Sequence, residues 1–223
     1  MPWTGSDPAM RARHLYAAIL SALTCAVACS AQEWEIGAAA GYGIYRNASI
    51  YAPAGKATAG FRNRYALSAL IGDDMHEHVA GEFRYTYQDG DPFLAAGGAK
   101  TNLQGQSHAF HYDVLFHARG RRKKVRPYVA VGIGAKFYVV SGPENPAQPL
   151  SSIGVLRSND EVKPVVTAGG GVKVHISRRV VVRLDFRDYI TPFPKKVIAP
   201  ARLATARGIF HQYTPLLGLS YVF

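Results

Sequence analysis

The sequence predicts an all-β fold, an eight-stranded antiparallel up-and-down barrel that crosses a membrane. Three observations predict it. Eight segments alternate apolar and polar residues with period two, and each spans about ten residues or more. The connections between these segments alternate between long and short along the chain. One face of the segments is apolar with aromatic residues near the ends, while charged residues and glycines share the other face.

The composition restricts the class of protein. The chain has 223 residues, of which 48% are hydrophobic, 11% aromatic and 18% charged. Disordered chains carry few aromatic residues and many charges, so this composition excludes them. Collagen-like and coiled-coil structures are excluded by composition too. The length suits one substantial domain. The net charge of +11 raises the question of nucleic-acid binding, which depends on where the lysines and arginines lie in the sequence.

Residues 1–31 are interpreted as a secretory signal peptide. Arg11 and Arg13 precede the one continuous apolar stretch, residues 15–29, and small residues follow it. This stretch is too short for a comfortable transmembrane helix, which needs about 20 apolar residues. The segment therefore predicts export.

The start and the processing of this segment have alternatives. Met10 is a second candidate start, because the residues before it are unlike the basic beginning of a signal peptide. Cleavage near Ala31 removes both cysteines, Cys25 and Cys29, whereas lipidation at Cys29 is the rival interpretation. In either case residues 32–223 are predicted to form the barrel domain.

The eight strands are predicted one by one from the alternation. They span residues 34–46, 58–71, 79–88, 103–119, 125–140, 162–176, 180–191 and 209–223. The seventh shows the pattern plainly, with Val182 and Leu184 on one face and Arg183 on the other. Strands of globular proteins average 5–6 residues, whereas a membrane-crossing strand needs about 9–11. Strand length therefore favours the bilayer.

The connections between the strands alternate in length. Long ones span 47–57, 89–102, 141–161 and 192–208, and short ones span 72–78, 120–124 and 177–179. In an up-and-down barrel, alternate connections lie at opposite ends. Membrane barrels of this kind have short turns at one end and longer external loops at the other. A sandwich with Greek-key connections has no reason to show this alternation.

The polar face of the strands predicts a filled lumen. It combines a few long charged side chains with many glycines, which suits a narrow interior better than a solvent face. Because buried charges need partners, we expect a paired charge network in the lumen. Its predicted members are Glu35, Glu82, Arg84, Asp113, Lys136, Lys173, Arg183, Asp185 and Arg187.

The apolar face predicts two aromatic girdles at the membrane interfaces. The residues near the long-loop ends are Tyr42, Phe61, Tyr85, Tyr87, Phe110, Phe137 and Tyr213. Those near the short-turn ends are Trp34, Phe116, Tyr221 and Phe223. An aromatic-rich soluble core is the alternative, and it would reverse the two faces.

The last strand completes a resemblance to a known family. Residues 210–223 read FHQYTPLLGLSYVF, with Tyr221 and Phe223 on one face at the end of the chain. With the signal segment, the eight strands and the alternating loops, the chain resembles the outer-membrane β-barrel family, especially its small OmpA/OmpX-type and opacity-protein-like members. The resemblance implies that Tyr221 and Phe223 are the signal read by the barrel-assembly machinery. It covers residues 32–223.

The expected function is non-enzymatic. An eight-stranded barrel is only wide enough for its own side chains, so we expect a plugged lumen and mobile external loops that serve envelope structure, adhesion or surface contact. The alternatives are a narrow, anion-leaning channel, a lipid-A-modifying barrel enzyme and a soluble lipid-binding barrel. Basic external loops favour contact with lipopolysaccharide phosphates, and outer-membrane lipid is the other expected partner. The external partner is unknown, and we expect a monomer.

Other motifs do not add a site. His175 and Ser177 resemble part of a lipid-processing site, yet two arginines follow them and no glutamate follows Glu161. The histidine pairs 76/78 and 108/111 have metal-like spacing without a third ligand nearby. The dense basic run at 119–126 does not predict nucleic-acid binding, because no nucleic-acid-binding motif accompanies it. We expect no cofactor and no metal.

Overall fold

The computed structural model describes residues 33–144, 147–206 and 208–223. The predicted signal peptide, with Met10 and Cys29, lies outside these residues, so its interpretation stays a prediction. Residues Trp34–Phe223 form one compact unit. Within the described ranges, no helix is long and apolar enough to span a bilayer.

Eight long antiparallel strands close into a barrel, which confirms the predicted fold class. They are β1 (Trp34–Tyr45), β4 (Arg64–Asp73), β5 (Val79–Asp89), β8 (Gln104–His117), β9 (Val125–Ser141), β11 (Asp160–His175), β12 (Val180–Pro192) and β15 (Ile209–Val222). Each pairs with its neighbours along the chain, and β1 pairs with β15 to close the cylinder. Closure leaves no unpaired sheet edge, and an unpaired edge would be costly in hydrocarbon.

Three short turns join the strands at one end of the barrel. They span residues 74–78, 118–124 and 176–179. The chain begins and ends its barrel at this same end, where Trp34 and Phe223 exchange backbone hydrogen bonds of 3.2 and 2.9 Å. The alternation of short and long connections along the sequence therefore corresponds to the two ends of the cylinder.

The long connections contain seven further strands. They are β2 (Ala48–Ala52), β3 (Gly55–Phe61), β6 (Pro92–Ala96), β7 (Ala99–Asn102), β10 (Gly154–Leu156), β13 (Ile198–Pro200) and β14 (Thr205–Ala206). Five of them form a sheet in the order β14-β2-β3-β6-β7, and β10 pairs with β13. Gly97 and Gly98, with φ of 55° and 83°, make the two-residue turn between β6 and β7, which needs positive φ at both positions.

These connections share one hydrophobic core, and we call the whole assembly the cap. All four long connections and the adjoining ends of barrel strands contribute buried side chains to it. They are Tyr45, Ile50, Ala57, Ala59, Phe61, Leu94, Leu103, Tyr138, Val140, Leu150, Ile153, Leu156, Phe193, Val197, Ile198 and Phe210. The expectation of mobile external loops is therefore wrong for the described parts of these connections.

The predicted strand at 58–71 is also corrected. The structure divides it into β3 and β4, with a break at Arg62 and Asn63. The break is held in place because the Asn63 side-chain oxygen accepts a hydrogen bond of 2.9 Å from the Tyr45 backbone N–H. Residues before the break belong to the cap, and residues after it belong to the barrel.

Candidate functional site

The barrel wall is apolar outside and charged inside. On the outer face Phe83, Val131 and Leu184 are 48%, 53% and 59% exposed. On the inner face Arg84 and Arg183 are 0% exposed. A soluble barrel has the opposite arrangement, so this exterior excludes the soluble lipid-binding alternative.

Ten of the eleven residues assigned to the aromatic girdles lie on the outward side of their strands. They are Trp34, Tyr42, Tyr85, Tyr87, Phe110, Phe116, Phe137, Tyr213, Tyr221 and Phe223. Phe61 is the exception, because it is 2% exposed and packs in the cap core, where its ring stacks on Tyr138 at 5.3 Å. The assignment of Phe61 to the girdle is therefore wrong.

Glu82 stands at the centre of the lumen. Its carboxylate accepts a hydrogen bond of 2.8 Å from Arg84 Nε and lies 2.6 Å from Arg183 Nη2. Asp185 bridges the same two arginines, with its Oδ2 at 3.1 Å from Arg84 and 3.5 Å from Arg183. Arg187 continues the network, because its Nε donates to Asp113 at 3.2 Å. The acids and bases thus alternate across the interior.

Glu35 anchors the network toward the short-turn end. Its carboxylate accepts hydrogen bonds from Lys173 at 2.6 Å, from Arg183 at 2.9 Å and from Ser220 at 2.5 Å. Lys173 lies on β11, Arg183 on β12 and Ser220 on β15, so one carboxylate ties β1 to three other strands. Such a buried charge is stable only when these partners are in place.

Lys136 differs from the other lumen bases. Among the described residues, no carboxylate lies within ion-pair distance of it. Its ammonium instead donates to Gln212 Oε1 and lies 5.3, 5.0 and 5.7 Å from the ring centres of Tyr45, Tyr138 and Tyr189. The expectation that an acid pairs with Lys136 is therefore wrong, and cation–π contacts replace the ion pair.

The glycines of the polar face make room for the network. A Cβ added at Gly132 would overlap Asp113 Oδ1 and approach Thr167 Oγ1 to 2.7 Å. Thr167 donates a hydrogen bond of 2.6 Å to that same Asp113 oxygen. A larger residue at 132 would therefore displace the partners of Asp113.

The histidines weighed as metal ligands or as a catalytic base lie in the described part of the chain. Among the described residues, no group of three or more metal-ligating side chains occurs. Ser177 Oγ accepts backbone hydrogen bonds from Arg179 and Val180, at 3.3 and 3.1 Å, and so closes its own turn. His108 bonds to the Tyr85 hydroxyl at 2.9 Å. Ser177 and His108 thus take part in local hydrogen bonds, and the described histidines are not grouped with enough further ligands to hold a metal ion.

One polar pair, which the sequence analysis missed, lies on the lipid-facing side of the barrel. His211 Nδ1 and Asp188 Oδ2 are 2.8 Å apart on adjacent strands β15 and β12. The pair interrupts the apolar exterior near Tyr213, whose ring stacks on that of His211 at 6.0 Å. In the sequence, each of the two residues is a polar residue at a lipid-facing position of its strand. That they meet could be seen only once the register between β12 and β15 was known.

A solved outer-membrane protein has a similar fold. The outer membrane protein OprG from Pseudomonas aeruginosa aligns with a TM-score of 0.51 at 10% sequence identity, over 86% of this chain and 95% of that chain. The chain has the fold of the small outer-membrane β-barrels. Neisserial surface protein A aligns with a TM-score of 0.49 at 11% identity, over 86% and 97% of the two chains. The outer membrane protease OmpT from Escherichia coli aligns with a TM-score of 0.43 at 8% identity, over 86% and 96%.

No protein-family model matches the sequence, and a search of curated proteins found no match. The fold and the apolar exterior together place the barrel in an outer membrane. In outer-membrane barrels the short turns face the periplasm and the long connections face the outside. The cap of this barrel therefore lies on the external side. A shared fold does not decide the activity, which depends on the site.

Proposed function

We propose that this outer-membrane barrel is a non-enzymatic, non-conducting scaffold that presents its cap to anionic molecules at the cell surface. The observation that carries the proposal is the combination of a lumen filled by ion pairs with a folded cap over its external end. The proposal concerns envelope structure and surface contact.

The filled lumen supports the absence of conduction. Arg84, Arg183 and Arg187 are each 0% exposed, and each lies within 4 Å of at least one buried carboxylate. An ion that crosses the barrel has to separate these pairs in a medium of low polarity, at a cost of several kcal/mol. The interior therefore favours a plug over a channel.

The arrangement of nucleophiles supports the absence of catalysis. A serine-type hydrolytic site needs a nucleophile within hydrogen-bond reach of a base that is itself oriented by a third group. Among the described residues, the outward pair of His211 and Asp188 supplies a base and an orienting acid, yet no serine, threonine or cysteine hydroxyl or thiol is hydrogen-bonded to that histidine. The lipid-A-modifying alternative lacks its nucleophile.

The outer face of the cap supports contact with anions. On this face Lys56 lies 5.4 Å from the ring centre of Tyr51, and Lys100 lies 5.2 Å from that of Phe93. Further exposed bases surround the cap, namely Arg46, Arg157, Lys195, Lys196 and Arg202. The acids Asp89 and Asp91 are occupied by Arg64, at 2.8 Å each. The phosphates of lipopolysaccharide are the nearest anions on that side of an outer membrane.

Conductance and binding together test the proposal. We expect no single-channel steps from the purified protein in a planar bilayer. We also expect binding to lipopolysaccharide micelles that weakens severalfold in K56Q/K100Q and falls with added salt. R64Q/K163Q loses the same charge from bases that already pair with Asp89, Asp91 and Glu161, so it is the matched control. Regular conductance steps would contradict the plug, and equal binding by K56Q/K100Q and the control would contradict the role of the cap.

A further inference from the structure

Six exposed bases lie on two turns of the periplasmic rim. The turn at 118–124 joins β8 to β9, and the turn at 176–179 joins β11 to β12. We call the six bases the basic arc: Arg119, Arg122, Lys123, Lys124, Arg178 and Arg179. The lumen and the cap use none of them.

The two turns are neighbours in space. Strands β9 and β11 are paired along their length, and the pairing reaches Val125 and Val174 at the rim. Just beyond it, the His175 backbone N–H donates to the Lys124 carbonyl at 2.9 Å. The six bases therefore share one sector of the rim, which β8, β9, β11 and β12 support.

The neighbouring acids do not neutralise this sector. Asp74 pairs with Arg126 at 2.7 Å and lies 3.8 Å from Arg121, and neither base belongs to the arc. Glu35 is held inside the lumen by Lys173 and Arg183. The side chain of Glu77 packs beside Gly120 of the first turn. In the described part of the chain, no base of the arc forms an ion pair.

The arc borders the lipid-facing surface directly. Arg179 Nη1 donates to the hydroxyl of Tyr221 at 3.1 Å, and Tyr221 stands at the end of the outward face of β15. Ile176, between the arc and the barrel wall, is 63% exposed, and Val129 is 60% exposed. Long basic side chains beside apolar surface keep their stems on that surface and their charges at the polar boundary. The charges of the arc thus lie at the depth of lipid headgroups.

We propose that the basic arc binds the phosphate groups of anionic phospholipids in the periplasmic leaflet. Basic clusters at the edge of a membrane-spanning segment attract anionic headgroups, and arginine holds phosphate oxygens with several donors at once. The occupant is a lipid rather than a soluble anion, because the apolar residues next to the arc receive the acyl chains of the same molecule. The binding surface is distinct from the cap and does not depend on its role.

Native mass spectrometry of the purified protein tests the proposal by counting retained lipids. We expect phosphatidylglycerol to bind at least tenfold more tightly than phosphatidylcholine, and the preference to fall as salt is raised. R122Q/K123Q/K124Q is expected to lose most of the preference. R62Q/R64Q/K163Q removes three bases at the cap end that already pair with Asp89, Asp91 and Glu161, so it has the same net charge and is expected to retain the preference.

Two further measurements make the outcome decisive. Gel migration without boiling shows whether each variant is folded, and R178Q/R179Q, on the second turn, replaces the first variant if that variant fails to fold. An arc variant that keeps the full preference overturns the proposal. Equal loss in the cap variant also overturns it, since net charge would then explain the effect. Binding of soluble cell-wall fragments to the arc, with no preference between the two lipids, overturns it in favour of another partner.

Discussion

Replacing Glu82 by glutamine removes one charge from the middle of the lumen while keeping the size of the side chain. Glu82 is 1% exposed and lies 2.6 Å from both Arg84 and Arg183. Arg187 is a third base, at 3.8 Å. The variant therefore leaves three buried guanidinium groups that share Asp185, Asp113 and Glu35 as their remaining acids.

The expected loss of stability follows from these contacts. Removing one partner of a buried ion pair costs about 3–5 kcal/mol. Glutamine keeps one carbonyl oxygen as an acceptor for Arg84, so the lower end, about 3 kcal/mol, applies here. That figure corresponds to more than a hundredfold change in the unfolding equilibrium, since about 1.4 kcal/mol is a factor of ten.

The assay is urea unfolding of the protein in phospholipid vesicles, and gel migration without boiling measures the folded fraction at each urea concentration. E77Q is the control, because Glu77 is exposed on a turn and surface substitutions change stability by about 0.5 kcal/mol or less. The double variant E82Q/R84Q restores the charge balance. Its loss is expected to be smaller than the sum of the single losses by about 0.5–3 kcal/mol. Equal stability of E82Q and E77Q would refute the charge network as the support of the lumen.

Three other substitutions test the exterior, the cap and the assembly signal. V131R places a charge on the lipid face near the middle of β9 and is expected to cost about 2–4 kcal/mol in vesicles, whereas a loss below 0.5 kcal/mol would contradict lipid contact. L94A opens a cavity in the cap core, at a cost of about 2–5 kcal/mol; protease should then cleave the cap faster while the barrel keeps its gel migration, and unchanged cleavage would contradict the shared core. Deleting Phe223 should lower the fraction of protein that reaches the outer membrane, measured by fractionation, and an unchanged fraction would contradict its role in assembly.

The barrel could be predicted from the sequence because each strand by itself shows which of its residues face lipid and which face the lumen. In a strand such as β12, Leu184 and Arg183 point to opposite faces, so the alternation itself separates lipid from lumen. Eight such strands and connections of alternating length leave one simple topology. The closure of β1 on β15 then follows from the cost of an open edge in the bilayer.

The cap could not be predicted, because its contacts join short segments that are far apart in the chain. Ile50, Leu94 and Leu156 belong to three different connections, and β10 has only three residues. No one of these segments shows a periodic pattern by itself. Their apolar residues become a core only when the barrel brings the connections to one end.

Two errors in the predicted site have local causes. Phe61 was assigned outward because it shares the odd-numbered positions with Tyr65, and the break at 62–63 ends that alternation. The polar run Arg62, Asn63, Arg64 was the available sign of the break. For Lys136 the inward direction follows from the pattern, whereas its partner does not, since Gln212 lies 76 positions away across the lumen.

The central claim is that apolar side chains face lipid while ionised ones are enclosed by the barrel. Spin labels on single cysteines at Val129, Ala130 and Val131, in a chain whose two cysteines are changed to serine, test it most directly. In vesicles, the labels at 129 and 131 should be accessible to oxygen dissolved in the lipid, and the label at 130 should be shielded. The greatest oxygen access at 130, with labels 129 and 131 shielded, would contradict the claim.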